Sequence, residues 1–417
     1  MRKKNLHVPM LSKKELGDME VIMISANNNI VRRTSKTFQK FIAQLTCRLT
    51  RPRKKFISQL LCGIVFAGDL VLTSVAARIP QSASLSAIAK RFRRQLSDSR
   101  FSFRQLLFNY LSLPAKKLDA DSLFIVDLSD LAKPYAKKME NIALVRDGDK
   151  GCLVNGYWLL EVYALDKEGI IWPVVLWPYS LEAAGQLSEN DQILEVLSWL
   201  DEHFGQGFGI YIGDRGFDRL SLIEPFLASK RHFIIRQRAD RTVVLPNGVR
   251  ITLSDLVEHL FAQSGNRLVY KRVYLPDIDK PLYLVAYHTV GYDQPVVLLT
   301  NLVAESFELA LRIRDRFARR WDCETSIEFL KSKVGLERFA VRKYTSMQML
   351  IFLAALAMGF LSFLQGRCQN IRQRVNDRLR YCREPKNFWF YRIVTALRDT
   401  FLRQASMSLL AWCRPPP

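Results

Sequence analysis

Apolar residues recur every three or four positions from about residue 37 to residue 113, which is the period of amphipathic helices. Pro80 interrupts the pattern, because the residue before a proline is disfavoured in helical geometry. Ser82, Ser84 and Ser86 follow it and provide N-cap side chains for a helix that restarts there. The pattern predicts a helical domain over residues 36–118, preceded by a polar and basic arm over residues 1–35.

Short apolar runs that are typical of buried strands begin after Ser122. Two of them lead into an aspartate: Leu123–Val126 into Asp127 and Phe208–Ile212 into Asp214. The remaining segments are strand-like at Tyr157–Ala164, Ile170–Leu176 and His232–Ile235, and helical at Asp191–Phe204 and Leu220–Leu227. Three strands followed by helix, strand, helix and strand is the order of a ribonuclease-H-like domain, which we place at residues 119–236 and 304–340.

Residues 237–303 interrupt that order with β-forming runs separated by glycine and proline, and we interpret them as a β-rich insertion. Ser306 to about Val334 contains neither glycine nor proline and predicts one long amphipathic helix. Residues 341–417 form a C-terminal helical region that contains an apolar helix at 345–365 and an Arg-rich tail. The predicted fold class is therefore α/β, with an N-terminal helical domain and C-terminal helices.

The net charge of +22 and the pI of about 9.8 favour a polyanionic partner, since Lys and Arg release counterions when they bind phosphates. The helix after Pro80 carries Lys90, Arg91, Arg93 and Arg94 beside an apolar stripe that begins at Leu85. It is either a DNA-contacting helix or an ordinary solvated basic face, and the sequence leaves both open. A membrane surface is the other polyanion, but the apolar run Met349–Leu364 is shorter than the roughly 20 residues of a membrane span.

Cysteine and histidine usage argues against several kinds of site. The seven cysteines include no CxxC pair, which disfavours a disulfide framework and a thiolate zinc site. The five histidines are scattered and form no HExxH motif. No apolar segment follows the basic N-terminus as it would in a secretory signal. We expect a reducing, cytoplasmic location.

The two aspartates at strand ends, together with a glutamate on a later helix, offer three anionic oxygen ligands. Mg²⁺ prefers such ligands, and two ions about 3.5–4 Å apart can stabilise both the attacking and the leaving oxygen of a phosphoryl displacement. The pattern alone does not choose among neighbouring acids, which are Asp130, Asp218, Asp322 and Glu328. A salt-bridge ladder on a solvated helix remains the alternative for the glutamates.

The chain resembles the DDE transposases of bacterial cut-and-paste insertion sequences, a group marked by tyrosine, arginine, glutamate and lysine separated by two, three and six residues. Here Phe317, Arg320, Glu324 and Lys331 have that spacing, and Trp321 follows the arginine as it commonly does in the group. Residues 213–218 (GDRGFD) resemble the motif of the second aspartate. Residues 126–130 (VDLSD), followed by the Lys-Pro pair at 133–134, resemble the motif of the first.

The resemblance implies that Asp127, Asp214 and Glu324 are catalytic and bind two Mg²⁺ ions, for which Mn²⁺ would substitute. It implies that Arg320 and Lys331 contact DNA near the scissile phosphate, and that Phe317 and Trp321 also bind DNA. It selects Glu324 over Glu328. It also implies a β-rich insertion before the glutamate helix. Phe317 departs from the pattern, because a phenyl ring can stack but cannot donate a hydrogen bond to phosphate. The hairpin intermediate linked to this signature is therefore an open question.

The predicted function is metal-dependent cleavage at transposon ends followed by attack of the freed 3′-OH on target DNA. The partners would be double-stranded DNA, both as terminal inverted repeats and as target, and a second copy of the chain in a homodimer. We expect a bacterial, nucleoid-associated protein with no membrane partner. The alternatives are another ribonuclease-H-like nuclease such as a junction resolvase, a decayed DNA-binding protein, and a membrane-associated basic protein.

Overall fold

The computed structural model describes residues 31–148, 150–185, 187–366 and 389–403. These residues form a mixed α/β structure with N-terminal helices, a large mixed sheet and C-terminal helices, which confirms the predicted fold class. Most of the predicted basic arm and much of the predicted Arg-rich tail lie outside the described residues. The predicted domain boundaries stay a prediction.

Five helices precede the sheet: α1 (31–45), α2 (Arg51–Ala67), α3 (Leu72–Ala76), α4 (Leu85–Leu96) and α5 (Phe103–Leu111). The predicted restart after Pro80 is confirmed, because the Ser84 hydroxyl accepts a hydrogen bond from the Ala87 backbone N–H at 3.3 Å and caps α4. The buried face of α4 consists of Ile88, Ala89, Phe92 and Leu96. Leu85, which the sequence placed on that face, is exposed instead.

The next segment of the chain forms the six strands of the central sheet and two helices between them, in the order β1 (Leu123–Ala132), β2 (Ala143–Arg146), β3 (Leu153–Leu165), β4 (Ile171–Tyr179), α6 (Glu189–Phe204), β5 (Ile210–Gly213), α7 (Leu220–Ala228) and β6 (His232–Arg236). The strands β1, β3 and β4 are antiparallel neighbours, whereas β5 is parallel to β1 and β6 is parallel to β5. The spatial order β4-β3-β1-β5-β6 is that of a ribonuclease-H-like sheet. The sequence pattern missed β2.

The predicted insertion consists of β7 (Thr242–Val244), β8 (Arg250–Thr252), α8 (Leu253–Ser264), β9 (Leu268–Leu275), β10 (Ile278–Tyr287) and β11 (Val296–Thr300). β11 pairs antiparallel with β6, so these strands continue the central sheet rather than forming a separate one. The sequence pattern missed β8 and α8. The signal for α8 was present, since the Thr252 side chain caps the helix by accepting a hydrogen bond from the Asp255 backbone N–H at 3.2 Å.

The chain after β11 forms α9 (Phe307–Ala318), α10 (Trp321–Phe329), a π-helical turn (Leu330–Val334), α11 (Tyr344–Gln365) and α12 (Trp389–Arg403). The prediction of one long helix over residues 306–334 is therefore wrong. Between α9 and α10 the backbone bonds span three residues, as from Arg320 N–H to the Phe317 carbonyl at 2.9 Å. This tighter winding ends α9 without a proline or glycine.

The apolar helix α11 is the centre of the core. It has the length and apolarity to cross a bilayer, but 94 % of its most apolar window is buried inside the protein. The Ser362 hydroxyl donates to the Ile171 carbonyl of β4 at 2.7 Å. Gly359 lies so close to Tyr110 of α5 that an added Cβ would be 2.3 Å from the phenol oxygen. The helix thus joins the N-terminal helices to the sheet, as expected of a buried core helix.

Candidate active site

The parallel pairing of β1 and β5 brings Asp127 and Asp214 side by side. Leu123 lies opposite Ile210 and Ile125 lies opposite Ile212, so two residues further on the two aspartates occupy the same level of the sheet. Asp214 directly follows β5, as predicted. Asp127 does not end its strand, because β3 continues to pair with β1 as far as Ala132. It marks the point where β1 loses its parallel neighbour.

Asp214 and Asp218 of the same motif have different surroundings. The Asp214 Oδ1 atom accepts a hydrogen bond from the Gly216 backbone N–H at 2.7 Å, and its side chain makes no ion pair within the described residues. Asp218 is completely buried, forms an ion pair with Arg241 and accepts a hydrogen bond from the Arg238 backbone N–H at 2.8 Å. Asp218 therefore holds the start of the insertion, and Asp214 is the aspartate that remains available for chemistry.

Glu324 lies in the first turn of α10 and is joined to Asp127 by an arginine. The Arg320 Nη2 atom is 2.6 Å from Glu324 Oε1, and its Nη1 atom is 3.6 Å from Asp127 Oδ2. The Arg320 side chain is only 12 % exposed, so this cation lies among the carboxylates rather than in solvent. Because Arg320 and Glu324 are four residues apart on consecutive turns, their contact follows directly from the signature spacing.

The electrostatics of Asp127 show that the three predicted carboxylates are neighbours. Burial raises its pKa, the negative charge of Asp214 raises it further, and Glu324 adds a smaller effect in the same direction. A backbone hydrogen bond from Leu128 and the charge of Arg320 oppose them, and the resulting pKa is about 6. Burial is thus the main cause of the raised pKa, and the two neighbouring carboxylates add to it.

The other predicted DNA-binding residues have varied environments. Trp321 is 58 % exposed, and the Arg320 guanidinium lies 5.3 Å from its ring centroid. Lys331 is half-buried, 3.1 Å from Glu337 and 3.8 Å from Asp130. Phe317 is only 7 % exposed and packs in the core, so the prediction that its ring contacts DNA does not fit this conformation. Its position in α9 faces the sheet, because residues 310, 313 and 317 form the buried stripe of that helix.

The predicted basic helix α4 presents three of its four cationic residues to solvent. Lys90, Arg93 and Arg94 are exposed. Arg91 differs, because its guanidinium donates hydrogen bonds to Gln59 Oε1 at 2.8 Å and to Gln81 Oε1 at 3.1 Å. Arg91 therefore fastens α4 to α2 and to the turn before α4, and the three other cations form the surface available to a phosphate backbone.

Residues 175–360 match the family model described as a transposase DDE domain. Residues 175–360 thus form a DDE transposase domain. The matched segment includes Asp214 and Glu324 and begins after Asp127. No curated protein matches the sequence. The cryo-EM structure of the piggyBac transposase synaptic complex with hairpin DNA is similar at 11 % sequence identity with a TM-score of 0.46, covering 88 % of this chain and 84 % of that chain.

The sheet contains a fourth carboxyl group close to Asp127 that sequence reasoning missed. Glu161 lies on β3 directly opposite Asp127 and is 1 % exposed. The hydroxyl of Ser129 donates to one of its oxygens, and the Tyr163 hydroxyl donates to the other at 2.7 Å. Burial raises the pKa of Glu161 to about 8, with a further contribution from Asp127. A glutamate inside an apolar strand was the available signal, since buried acids are rare unless paired.

The carboxylates of Asp127, Asp214 and Glu324 suit divalent cations in chemistry, although they do not form a ready set of ligands. Within the described ranges, no three His, Cys, Asp or Glu side chains are grouped so as to hold a metal ion. The oxygens of Asp127, Asp214 and Glu324 are nevertheless the ligands that Mg²⁺ prefers. Three carboxylates around one arginine leave this centre with more formal negative charge than Arg320 balances. A divalent cation held by these residues would balance that excess.

Proposed function

We propose that this protein is a metal-dependent DNA transposase that cleaves the ends of its element and joins the freed 3′-OH to target DNA. One observation carries the proposal. In a chain with a DDE domain, Asp127 and Asp214 lie at one level of adjacent parallel strands, and Glu324 approaches them from α10. Cleavage and joining are both displacements at phosphorus, so one centre can serve both.

Asp127, Asp214 and Glu324 would hold two Mg²⁺ ions, or Mn²⁺ in their place. Bound there, the ions would supply Lewis acidity for the attacking and leaving oxygens. Arg320 would orient the scissile phosphate, since its planar guanidinium suits bidentate binding of phosphate oxygens. Its present contact with Glu324 at 2.6 Å fixes the guanidinium in the centre before DNA arrives. Lys331 would contact a neighbouring phosphate as a point charge.

We further infer a bacterial cut-and-paste element of the group with the tyrosine, arginine, glutamate and lysine signature. The spacing of Arg320, Glu324 and Lys331 and the exposed Trp321 support this. The buried ring of Phe317 gives no support for a phosphate contact at the tyrosine position, so a hairpin intermediate has to be tested directly. The proposal includes a homodimer that holds two inverted-repeat ends, and a cytoplasmic, nucleoid-associated protein.

The test compares two glutamates one turn apart on α10. Glu324→Gln should abolish cleavage of a DNA fragment that carries the sequences flanking the gene, in the presence of Mg²⁺. The loss should exceed the roughly 10–100-fold effects of residues that only support metal ligands. Glu328→Gln, at an exposed position on the same helix, should cleave like the wild type. Equal activity in both variants would discard Glu324, and no metal-dependent cleavage by the wild type would discard the function.

A further inference from the structure

A basic cleft opens at the far end of β1, away from the centre of the sheet. It has a volume of about 770 Å³ and lies between residues 132–139 and residues 337–342. Its lining includes seven cationic side chains, namely Lys133, Lys137, Lys138, Lys150, Lys331, Arg338 and Arg342. Lys331, the last residue of the signature, connects this cleft to the carboxylate centre, since its ammonium lies 3.8 Å from Asp130, three residues after Asp127 on β1.

Two cations of the cleft are used to build it. The Lys133 ammonium donates hydrogen bonds to the carbonyls of Glu337 and Phe339, and lies 3.7 Å from the Phe339 ring centroid. It thereby fastens the two walls together. Lys150 pairs with Asp147 at 3.3 Å. The Glu337 carboxylate pairs with Lys331 at 3.1 Å, so both acids of the lining, Asp147 and Glu337, are already engaged by lysines.

Four other cations are available to a ligand. Lys137, Lys138, Arg338 and Arg342 are exposed, and none of them forms an ion pair with another residue in the part of the chain that the structure describes. Four uncompensated positive charges around one cleft repel each other and favour a polyanion with spaced charges. A single small anion would not satisfy side chains that come from both walls.

The positive surface continues beyond the cleft. An adjoining cavity of about 520 Å³ shares Ala340 and Arg342 with it and is lined also by Lys343, Arg93 and Arg94. The last two belong to α4, whose exposed cations suit either DNA contact or plain solvation by their sequence alone. The cationic path therefore runs from Lys331 through the cleft to the N-terminal helices.

An aromatic residue stands at the cleft. Tyr135 is 94 % exposed, although it lies between the buried Lys133 and the exposed Lys137. Aromatic rings beside a row of cations are the usual arrangement for unpaired nucleotides, because the bases stack on the ring while the backbone follows the charges. A fully exposed ring has no packing role in the protein itself.

We propose that the basic cleft binds the DNA strand that leaves the carboxylate centre, with its phosphates on Lys137, Lys138, Arg338 and Arg342 and an unpaired base on Tyr135. This rests on the proposed function for the identity of the polymer. Ala132, at the entrance, is five residues beyond Asp127, which is roughly 17 Å along a strand. That span corresponds to about five nucleotides of a strand at 3.4 Å each. The cleft would thus bind the stretch of DNA next to the cleaved bond, and the exposed cations of α4 would bind phosphates further along the same DNA.

The first test removes two cations from the cleft and two from elsewhere. Full-length Lys137→Ala/Lys138→Ala is compared with Lys116→Ala/Lys167→Ala, whose two exposed lysines lie near the start of β1. Binding of a 5′-fluorescein-labelled 30-nucleotide single strand is measured against salt. The cleft variant should lower the salt slope by about 1.4, since each lost phosphate contact removes about 0.7 for single strands. The control variant should retain the wild-type salt slope. Equal slopes for all three proteins would refute the proposal that the cleft binds DNA.

The second test separates stacking from charge. Tyr135→Ala should weaken binding of the same single strand about tenfold, while Tyr135→Phe keeps the ring and should bind like the wild type. Binding of the corresponding duplex should be unchanged in both. Equal losses of affinity in the Tyr135→Ala and Tyr135→Phe variants, or no loss in Tyr135→Ala, would refute the proposal that a base stacks on Tyr135.

The outcomes for the cleft and for the transposase function are distinguishable. A wild type that cleaves DNA while the cleft variant binds normally would refute the cleft and leave the function intact. If the wild type shows no metal-dependent cleavage but the cleft variant binds DNA more weakly than the wild type, the transposase function is refuted and the cleft remains a DNA-binding surface.

Discussion

The two aspartates of the GDRGFD segment give the sharpest prediction, because the same substitution should have opposite effects at the two positions. Asp218→Asn removes the charge from a side chain that is fully buried against Arg241, whose side chain is only 11 % exposed. Arg241 would then be left as a buried cation without its partner. Breaking one side of a buried ion pair destabilises a protein by about 3–5 kcal/mol.

That free energy converts into a measurable temperature. Unfolding entropy is about 2.1 cal/mol/K per residue, so a chain of 417 residues that unfolds as one unit has an entropy of roughly 0.9 kcal/mol/K. The Tm of Asp218→Asn should therefore fall by about 3–6 °C. Asp214→Asn should shift Tm by less than about 1 °C, because the amide oxygen can still accept the Gly216 N–H and no ion pair of Asp214 is lost within the described residues; changes that break no such contact are typically worth within about 0.5 kcal/mol.

The assay is thermal unfolding by circular dichroism together with Mg²⁺-dependent cleavage of DNA from the ends of the element. Asp214→Asn should keep its Tm and lose cleavage. Asp218→Asn should have a lower Tm than the wild type but should still cleave the DNA at a temperature where it is folded. The reasoning is refuted if Asp214→Asn still cleaves, or if Asp218→Asn is as stable as the wild type.

Three further predictions follow from particular residues. Gly209 has φ +78° and an added Cβ would lie 2.4 Å from Phe124; Gly209→Ala should destabilise by about 2–5 kcal/mol from strain and overlap, and an unchanged urea midpoint would contradict this. The pKa of Glu161 is raised to about 8, so the folded state keeps its proton while the unfolded state ionises. The free energy of unfolding of the wild type, relative to that of Glu161→Gln, should therefore decrease as the pH rises from about 4.5 to about 8. Urea unfolding of both proteins at pH 5 and pH 8 tests this, and a difference between them that does not change with pH contradicts it. Mg²⁺ at about 100 times its Kd should stabilise the wild type by about 2.7 kcal/mol and leave Asp127→Asn unchanged; equal Tm shifts in both, with EDTA as the reference, would exclude Asp127 as a ligand.

The sequence predicted the parts of the catalytic region whose pattern is local. The runs before Asp127 and Asp214 are apolar on both faces, which identifies buried central strands, and the order of elements indicated the sheet. The signature spacing selected Glu324, and its contact with Arg320 follows from helical geometry. The placement of Asp127 beside Asp214 needed the strand register, which a residue pattern does not contain.

The errors arose where tertiary contacts override local propensity. The break between α9 and α10 has no proline or glycine, since it depends on a change to three-residue backbone bonds near Arg320. Phe317 was expected to contact DNA because of its place in the signature; it lies on the buried stripe of α9 in this structure, and its contact with DNA stays a prediction. Glu161 lies in a strand where only the fold shows that its neighbour is Asp127.

The pairing of β11 with β6 gives the predicted insertion a second role. Leu298 to Thr300 lie opposite Ile234 to Arg236, and in the sheet order β6 has only β5 on its other side. A shortened protein that lacked residues 237–303 would leave this side of β6 as an open row of backbone N–H and carbonyl groups, a template on which another chain could add a strand. By pairing with β6, the insertion therefore prevents the catalytic sheet from associating through this edge. Any shortened version of the enzyme would need another segment paired with β6 at that position.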